Sequence, residues 1–176
     1  MDNKAFPETF TLSDGQSISI RPIRPTDAPF LVQMFEHLSE RTRRLRFHSY
    51  TGNLPRRRIW REAIALSSLD PALQAALVAL NQDEQVVGVA RFARTTADAV
   101  EAEAAIVVRD DFQRKGLGTH LLKRLMPIAR SMGIERLFAW VMADNLHMLQ
   151  IIKKANLPVR RETRSGETLV VVSLPP

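Results

Sequence analysis

The 176-residue chain contains no cysteine. Disulfides, thiolate catalysis and cysteine-ligated zinc are therefore excluded together. Its four histidines, His37, His48, His120 and His147, are scattered without the spacing of metal ligands, so no metal centre is expected. No apolar run approaches the roughly 20 residues that cross a membrane. The opening Met1-Asp2-Asn3-Lys4 lacks the long apolar stretch of a signal peptide. Repeats, low-complexity tracts and linkers are also missing. These absences point to a soluble cytoplasmic protein with no membrane partner.

Hydrophobic residues make up 45% of the chain, enough to build a sizeable core, and the length suits one domain. Net charge is +6. Much of the excess is concentrated in Arg41, Arg43, Arg44, Arg46, Arg56, Arg57, Arg58 and Arg61. Two solvated helix faces would account for these arginines. So would attraction of an anionic partner: a phosphorylated cofactor, an acidic protein surface or nucleic acid.

The polar and apolar residues alternate in a mixed pattern. Phe10 to Leu12 and Ser17 to Arg21 flank Asp14-Gly15, a hairpin signal. Thr26 is placed to cap a helix carrying Phe30, Leu31, Met34, Phe35 and Leu38, and Ser39 to cap a short basic turn ending near Phe47. Another helix is expected from about Pro55 to Leu66. Leu73 to Leu80, Gln85 to Ala93 and Glu101 to Val108 read as strands, and Gly88 marks a bulge or close packing. Leu117, Leu121, Leu122, Leu125, Ile128 and Met132 form one face of a helix that Pro127 should kink. The strand Leu137 to Met142, a helix capped by Asn145 and running to about Ala155, and a hairpin over 159–174 complete the pattern. Only the strands around 101–142 are spaced as a βαβ unit.

The chemistry concentrates at Val107-Val108-Arg109-Asp110-Asp111-Phe112-Gln113-Arg114-Lys115-Gly116-Leu117-Gly118. An apolar strand enters a polar loop that closes on two glycines, and an amphipathic helix follows at once. Free backbone N–H groups then sit at the positive end of a helix, a place suited to phosphate. A Walker A loop fails, because Lys115 precedes Gly116 instead of following it. A dinucleotide fingerprint fails at its last position, since Gly116-Leu117-Gly118-Thr119-His120-Leu121 ends on leucine. Asp144 is a weak mimic of the ribose-binding acid.

Gln113-Arg114-Lys115-Gly116-Leu117-Gly118 matches Q/R-x-x-G-x-G/A, and in this it resembles the pyrophosphate loop of the GNAT superfamily of N-acetyltransferases. Asp14-Gly15, Ile20 to Ala28, Leu38-Ser39, Leu45-Arg46-Phe47, Val87 to Arg91 and Asn145 to Leu149 extend the resemblance over about residues 12–160. They are most similar to the Pat-like bacterial protein lysine acetyltransferases. The resemblance implies an α/β (α+β) GNAT domain: a mixed, strongly twisted sheet of six to seven strands with helices on both faces. It implies acetyl-CoA as cofactor and direct acetyl transfer to an amine.

In that family the coenzyme A pyrophosphate rests on backbone N–H groups, here those of about Arg114 to Thr119, including Leu117. Gln113 opens this loop, Arg114 and Lys115 add charge, and Gly116 and Gly118 permit close approach. A splayed strand supplies an N–H for the thioester oxygen, and the resemblance puts it near Val107 or Val108. The family's catalytic glutamate falls at or beside Glu103. A carboxylate on a mostly apolar strand sheds water, which makes it a stronger base. Glu101 shares its face by strand periodicity. Asn145 is implied to hold the pantetheine arm as well as capping its helix. Ile152 stands where many relatives carry the tyrosine that protonates the leaving thiolate, and the only tyrosine, Tyr50, is remote in sequence. Asn156-Leu157 replaces a common Gly-Phe pair.

A protein lysine acceptor is favoured by the Pat-like resemblance, and a small-molecule amine is the alternative. Two further readings are a non-catalytic coenzyme A-binding module and a nucleic-acid binder built on the arginines with Phe47, Tyr50 and Trp60. No nucleic-acid motif accompanies the latter. The sequence leaves open whether the chain is a homo-oligomer.

Overall fold

The computed structural model describes residues 6–47, 54–154 and 158–174. His48, Tyr50, Asn156 and Leu157 lie outside the described residues. Eight strands form one sheet: β1 (Glu8–Thr11), β2 (Ser17–Pro22), β3 (Gln74–Leu80), β4 (Val86–Ala93), β5 (Glu101–Val108), β6 (Arg136–Met142), β7 (Val159–Arg164) and β8 (Glu167–Ser173). Their order is β1-β2-β3-β4-β5-β6-β8-β7. This exceeds the six to seven strands expected, because the short outer strand of each terminal hairpin also joins the sheet, as an edge.

Among the described residues five helices cover the sheet: α1 (Ala28–Glu36), α2 (Glu40–Phe47), α3 (Arg56–Ser67), α4 (Leu117–Ser131) and α5 (Leu146–Lys154). The apolar runs of β3 and β4 are buried on both faces, as a central strand requires. On one face Leu121, Leu125 and Ile152 pack with Phe92, Ile106 and Val170. On the other, Leu31, Met34 and Ala63 pack with Val78 and Val89. Gly88 meets both expectations. A Cβ there would lie 3.2 Å from Leu121 Cδ1, and the β3–β4 register shifts at Ala79/Leu80, opposite Gly88 and Val86. Helix α4 runs on through Pro127, whose exposed position leaves the orphaned carbonyl one turn earlier open to water.

Thr26 does not cap α1. A 3-10 turn, Pro25–Asp27, intervenes. Asp27 governs this corner instead: its carboxylate accepts the Arg24 N–H at 2.7 Å and two bonds from the Arg21 guanidinium at 2.7 and 2.8 Å. A buried carboxylate so held outcompetes a hydroxyl for the same amides.

The feature that creates the site is the single parallel pair. β5 and β6 are paired only from Glu101–Arg136 to Glu103–Phe138, and beyond that point they part. All the other pairings are antiparallel.

Candidate active site

At the end of β5 the chain makes a 3-10 turn, Asp110–Phe112, then the loop that feeds α4. Phe112 is buried at 5% exposure and anchors the turn. Arg114 (φ 61°) and Gly116 (φ 92°) are both left-handed. Left-handed residues alternating with ordinary ones turn successive amides inward to make a nest for an anion. The first bond within α4 runs from His120 N–H to Gly116 O at 3.0 Å, so the amides of Leu117, Gly118 and Thr119 have no partner inside the helix. A Cβ on Gly118 would stand 2.7 Å from Ile151 Cδ1 of α5, so this turn is packed closely against its neighbour.

The side chains of the loop divide their roles. Arg114 is exposed. Lys115 does not project its charge freely: Nζ lies 2.7 Å from Asp14 Oδ2 in the β1–β2 turn, and Ser13 N–H donates to Lys115 O at 3.2 Å. The bond donated by Lys115 Nζ holds the Asp14 carboxyl below the usual carboxylate range. Gln113 acts as a brace, with Nε2 donating to Val108 O at 2.9 Å and Thr42 Oγ1 at 3.2 Å.

A cavity of about 650 Å³ fills the gap between β5 and β6. Glu103, Val107, Val108, Gln113, Arg114, Gly116, Gly118, Thr119 and Asn145 all line it; Lys115 and Leu117 do not, and Leu117 is a core residue at 1% exposure. Backbone phase decides which amides face the gap. Arg109 N–H donates to Val87 O on β4 at 2.9 Å. Alternate residues of a strand point their amides to opposite sides. The Val107 amide is therefore turned to Val89 of β4, its register partner, while those of Val108 and Ile106 face the gap.

Glu103 sits at the point where the strands part. It is exposed, so the burial expected of it is not met: Ala102, Ile106 and Val108 turn into the core, and Glu103 lies at the open end of the opposite face of β5. Glu101 is drawn aside by Arg136, 2.5 Å away. Arg46 of α2 and Arg91 of β4, which stands opposite Ala105, bring positive charge to the same face. Burial and then repulsion by Arg91 pull the Arg46 guanidinium down to about 10, with Glu103 opposing, so it remains a cation at neutral pH. In the sequence Arg46 stands out only as part of Leu45-Arg46-Phe47 and of the arginine cluster; its place beside Glu103 and Arg91 comes from the fold.

Helix α2 lies across β5 and β6 and is fastened on two sides. Asp110 accepts from the Ser39 N–H at 2.9 Å and from the hydroxyls of Ser39 and Thr42, both at 2.6 Å. Ser39 Oγ accepts the Thr42 N–H at 3.2 Å, the expected cap. On the far side Arg44 meets Asp144 at 2.6 Å. Asn145 Oδ1 accepts the Met148 N–H at 3.2 Å and so caps α5. Ile152 is buried at 5% exposure and offers no proton. Among the described residues no cluster of histidine, aspartate or glutamate is arranged to hold a metal, and no helix is long and apolar enough to cross a membrane.

The model of the acetyltransferase (GNAT) family matches residues 32–156. Acetyltransferase Pat of Mycolicibacterium smegmatis is 35% identical over 91 residues, 52% of this chain, and the aligned part is only 27% of that longer protein. An acetyltransferase of Pseudomonas aeruginosa is 30% identical over 146 residues, 78% of this chain and 73% of its own length. Among solved structures, the GNAT domain of S. lividans PAT superposes with a TM-score of 0.83 at 27% identity, covering 95% of this chain and 96% of that one. The chain belongs to the GNAT family of acetyltransferases, enzymes whose acetyl donor is acetyl-CoA.

Proposed function

We propose that the chain transfers acetyl from acetyl-CoA to the ε-amine of a protein lysine, with Glu103 as general base. The observation that carries this is the arrangement of one cleft: amides at the start of α4 at one end, Glu103 at the other, and the gap-facing edge of β5 between them. The loop suits a pyrophosphate, since Gly116 adopts a left-handed turn and three helix-end amides lack partners within the helix.

Bound acetyl-CoA supplies an activated acetyl thioester. The residues here would do the rest. The amides of Leu117, Gly118 and Thr119 hold the pyrophosphate, with Arg114 adding charge. The outward edge of β5 pairs with the pantetheine amides, and Asn145 holds that arm from the other side. Val108 N–H donates to the thioester oxygen as negative charge gathers there. Glu103 takes a proton from the acceptor ammonium, directly or through one water; the freed amine bonds to the acetyl carbon, and as the carbon–sulfur bond breaks the nitrogen gives up its second proton to water. No acid is needed from Ile152: a thiol with a pKa near 8.5 leaves readily and takes its proton from water.

The protein acceptor rests on the Pat-like residues described above and on the exposure of Glu103, which a large substrate can reach. Incubating the protein with labelled acetyl-CoA and an extract of its source tests this. Label on protein lysines is expected; label confined to small amines overturns it. Glu103→Gln should lower turnover roughly 10²- to 10⁴-fold, measured as thiol release, while coenzyme A affinity is kept. Unchanged turnover would remove Glu103 from this role.

A further inference from the structure

Among the described residues the sheet has an apolar area, continuing from the cleft floor at Phe138 and Trp140, that belongs to neither core. Phe138 and Trp140 of β6 and Leu169 and Val171 of β8 belong to neither buried cluster. Trp140 is 48% exposed. Their neighbours Leu137, Val141, Val170 and Val172 point the other way, into the core under α4 and α5.

Register ties this area to Glu103. Cross-strand partners share a face, and the pairings Glu103–Phe138, Phe138–Val171 and Val171–Arg160 form one row. The next row runs Trp140–Leu169–Glu162. Starting from the carboxylate, the row crosses an apolar floor and ends on the exposed Arg160 of the edge strand β7. Glu162, the acid of the outer row, is paired with Arg164. Arg46 flanks the inner end.

We infer that this face docks the polypeptide carrying the acceptor lysine, reading an apolar residue over Leu169 and an acidic residue at Arg160. The inference rests on the protein-lysine reading above. Charge argues for an acidic polypeptide: Arg160 is exposed at one end of the row and Arg46 stands at the other, cations that an acidic chain would meet. The patch is also small. A stable dimer buries about 800 Å² per partner, and of the four apolar residues here only Trp140 is widely exposed. Distance sets the motif. Three strand spacings separate Glu103 from Arg160, roughly 14 Å at about 4.8 Å each, which an extended peptide spans in about four residues. The apolar residue then falls about two to three positions from the lysine.

The test uses synthetic lysine peptides with leucine two or three positions, and aspartate four positions, to either side of the lysine, and partners in which lysine replaces the aspartate. Nα-acetyl-lysine amide serves as the minimal acceptor, and thiol release is the readout. The aspartate peptide should show the higher kcat/KM by roughly two- to fivefold, the size of one exposed ion pair. Arg160→Glu should reverse that preference. Leu169→Ala should raise the peptide KM roughly five- to tenfold with kcat unchanged. Neither variant should alter turnover of the minimal acceptor. Peptides used equally well by all three proteins would overturn the docking face alone. A wild-type dimer in sedimentation that Leu169→Ala or Arg160→Glu dissociates would assign the face to a second copy and overturn it too. Turnover of the minimal amine with no peptide or protein accepted would instead overturn the protein-lysine reading beneath it.

Discussion

Gly116 is left-handed at φ 92° and has room for a side chain, with Phe10 Cζ 3.6 Å from where a Cβ would be. Its cost of substitution is therefore conformational. Gly116→Ala should destabilise the fold by about 1 kcal/mol and weaken coenzyme A binding, because the amide nest must reshape. Calorimetry on the folded variant reads both. Asp27 is the opposite case, a side chain that cannot be spared. Burial works against its charge, but the Arg21 guanidinium and the Arg24 amide more than offset this and hold its carboxyl below the usual range. Removing the charge leaves Arg21, only 15% exposed, without its partner. Asp27→Asn should cost about 3 kcal/mol at pH 7. A depressed folded-state value means the stability is present above an unfolded value of about 3.9 and is lost as pH falls through the folded one. Urea midpoints of the wild type and Asp27→Asn should therefore converge in acid. At this scale the turn at Gly116 was legible in the sequence, because glycine spacing is a local constraint. Arg46 and the Asp27 corner were not. Their roles depend on Arg91 and on Arg21, partners that only the folded sheet brings close.

At the scale of elements, α2 is unusual in contributing no residue to either hydrophobic core. It stays in place through hydrogen bonds, chiefly those to Asp110, whose carboxyl is held below the usual range by the Ser39 hydroxyl and amide and the Thr42 hydroxyl, against a burial effect that raises it. Loosening α2 should disturb Arg46 and the mouth of the cleft more than the core. Asp110→Ala is expected to cost about 1 kcal/mol in stability, in the range of a lost cap, while raising the acceptor KM several-fold. Steady-state kinetics with both substrates varied would separate that effect from coenzyme A binding. The helical periodicity of α4 was readable because it records burial within one element. The way α2 is fastened was not, since Asp110 and Asp144 lie far along the chain from Ser39 and Arg44.

For the whole molecule, strand identities were legible but their number in one sheet was underestimated. Hairpin signals show that strands pair with each other and not that the hairpin then joins a larger sheet. The βαβ unit at 101–142 was read correctly, and it proves to be the weak place of the architecture. The antiparallel block β1 to β5 and the block β6, β8, β7 meet through only three paired residues on each side. Across that seam the backbone ladder lacks rungs, and a ligand threaded along β5 would replace them. Coenzyme A at 100 times its dissociation constant should add about 2.7 kcal/mol, a rise in Tm of roughly 5–10 °C. Amide exchange should slow most at Val108 and Ile106, whose N–H groups face the gap, and hardly at all at Val107, turned toward β4. The parting of β5 and β6 thus makes the protein's rigidity conditional: the two halves of the sheet would move as one body only while the donor is bound.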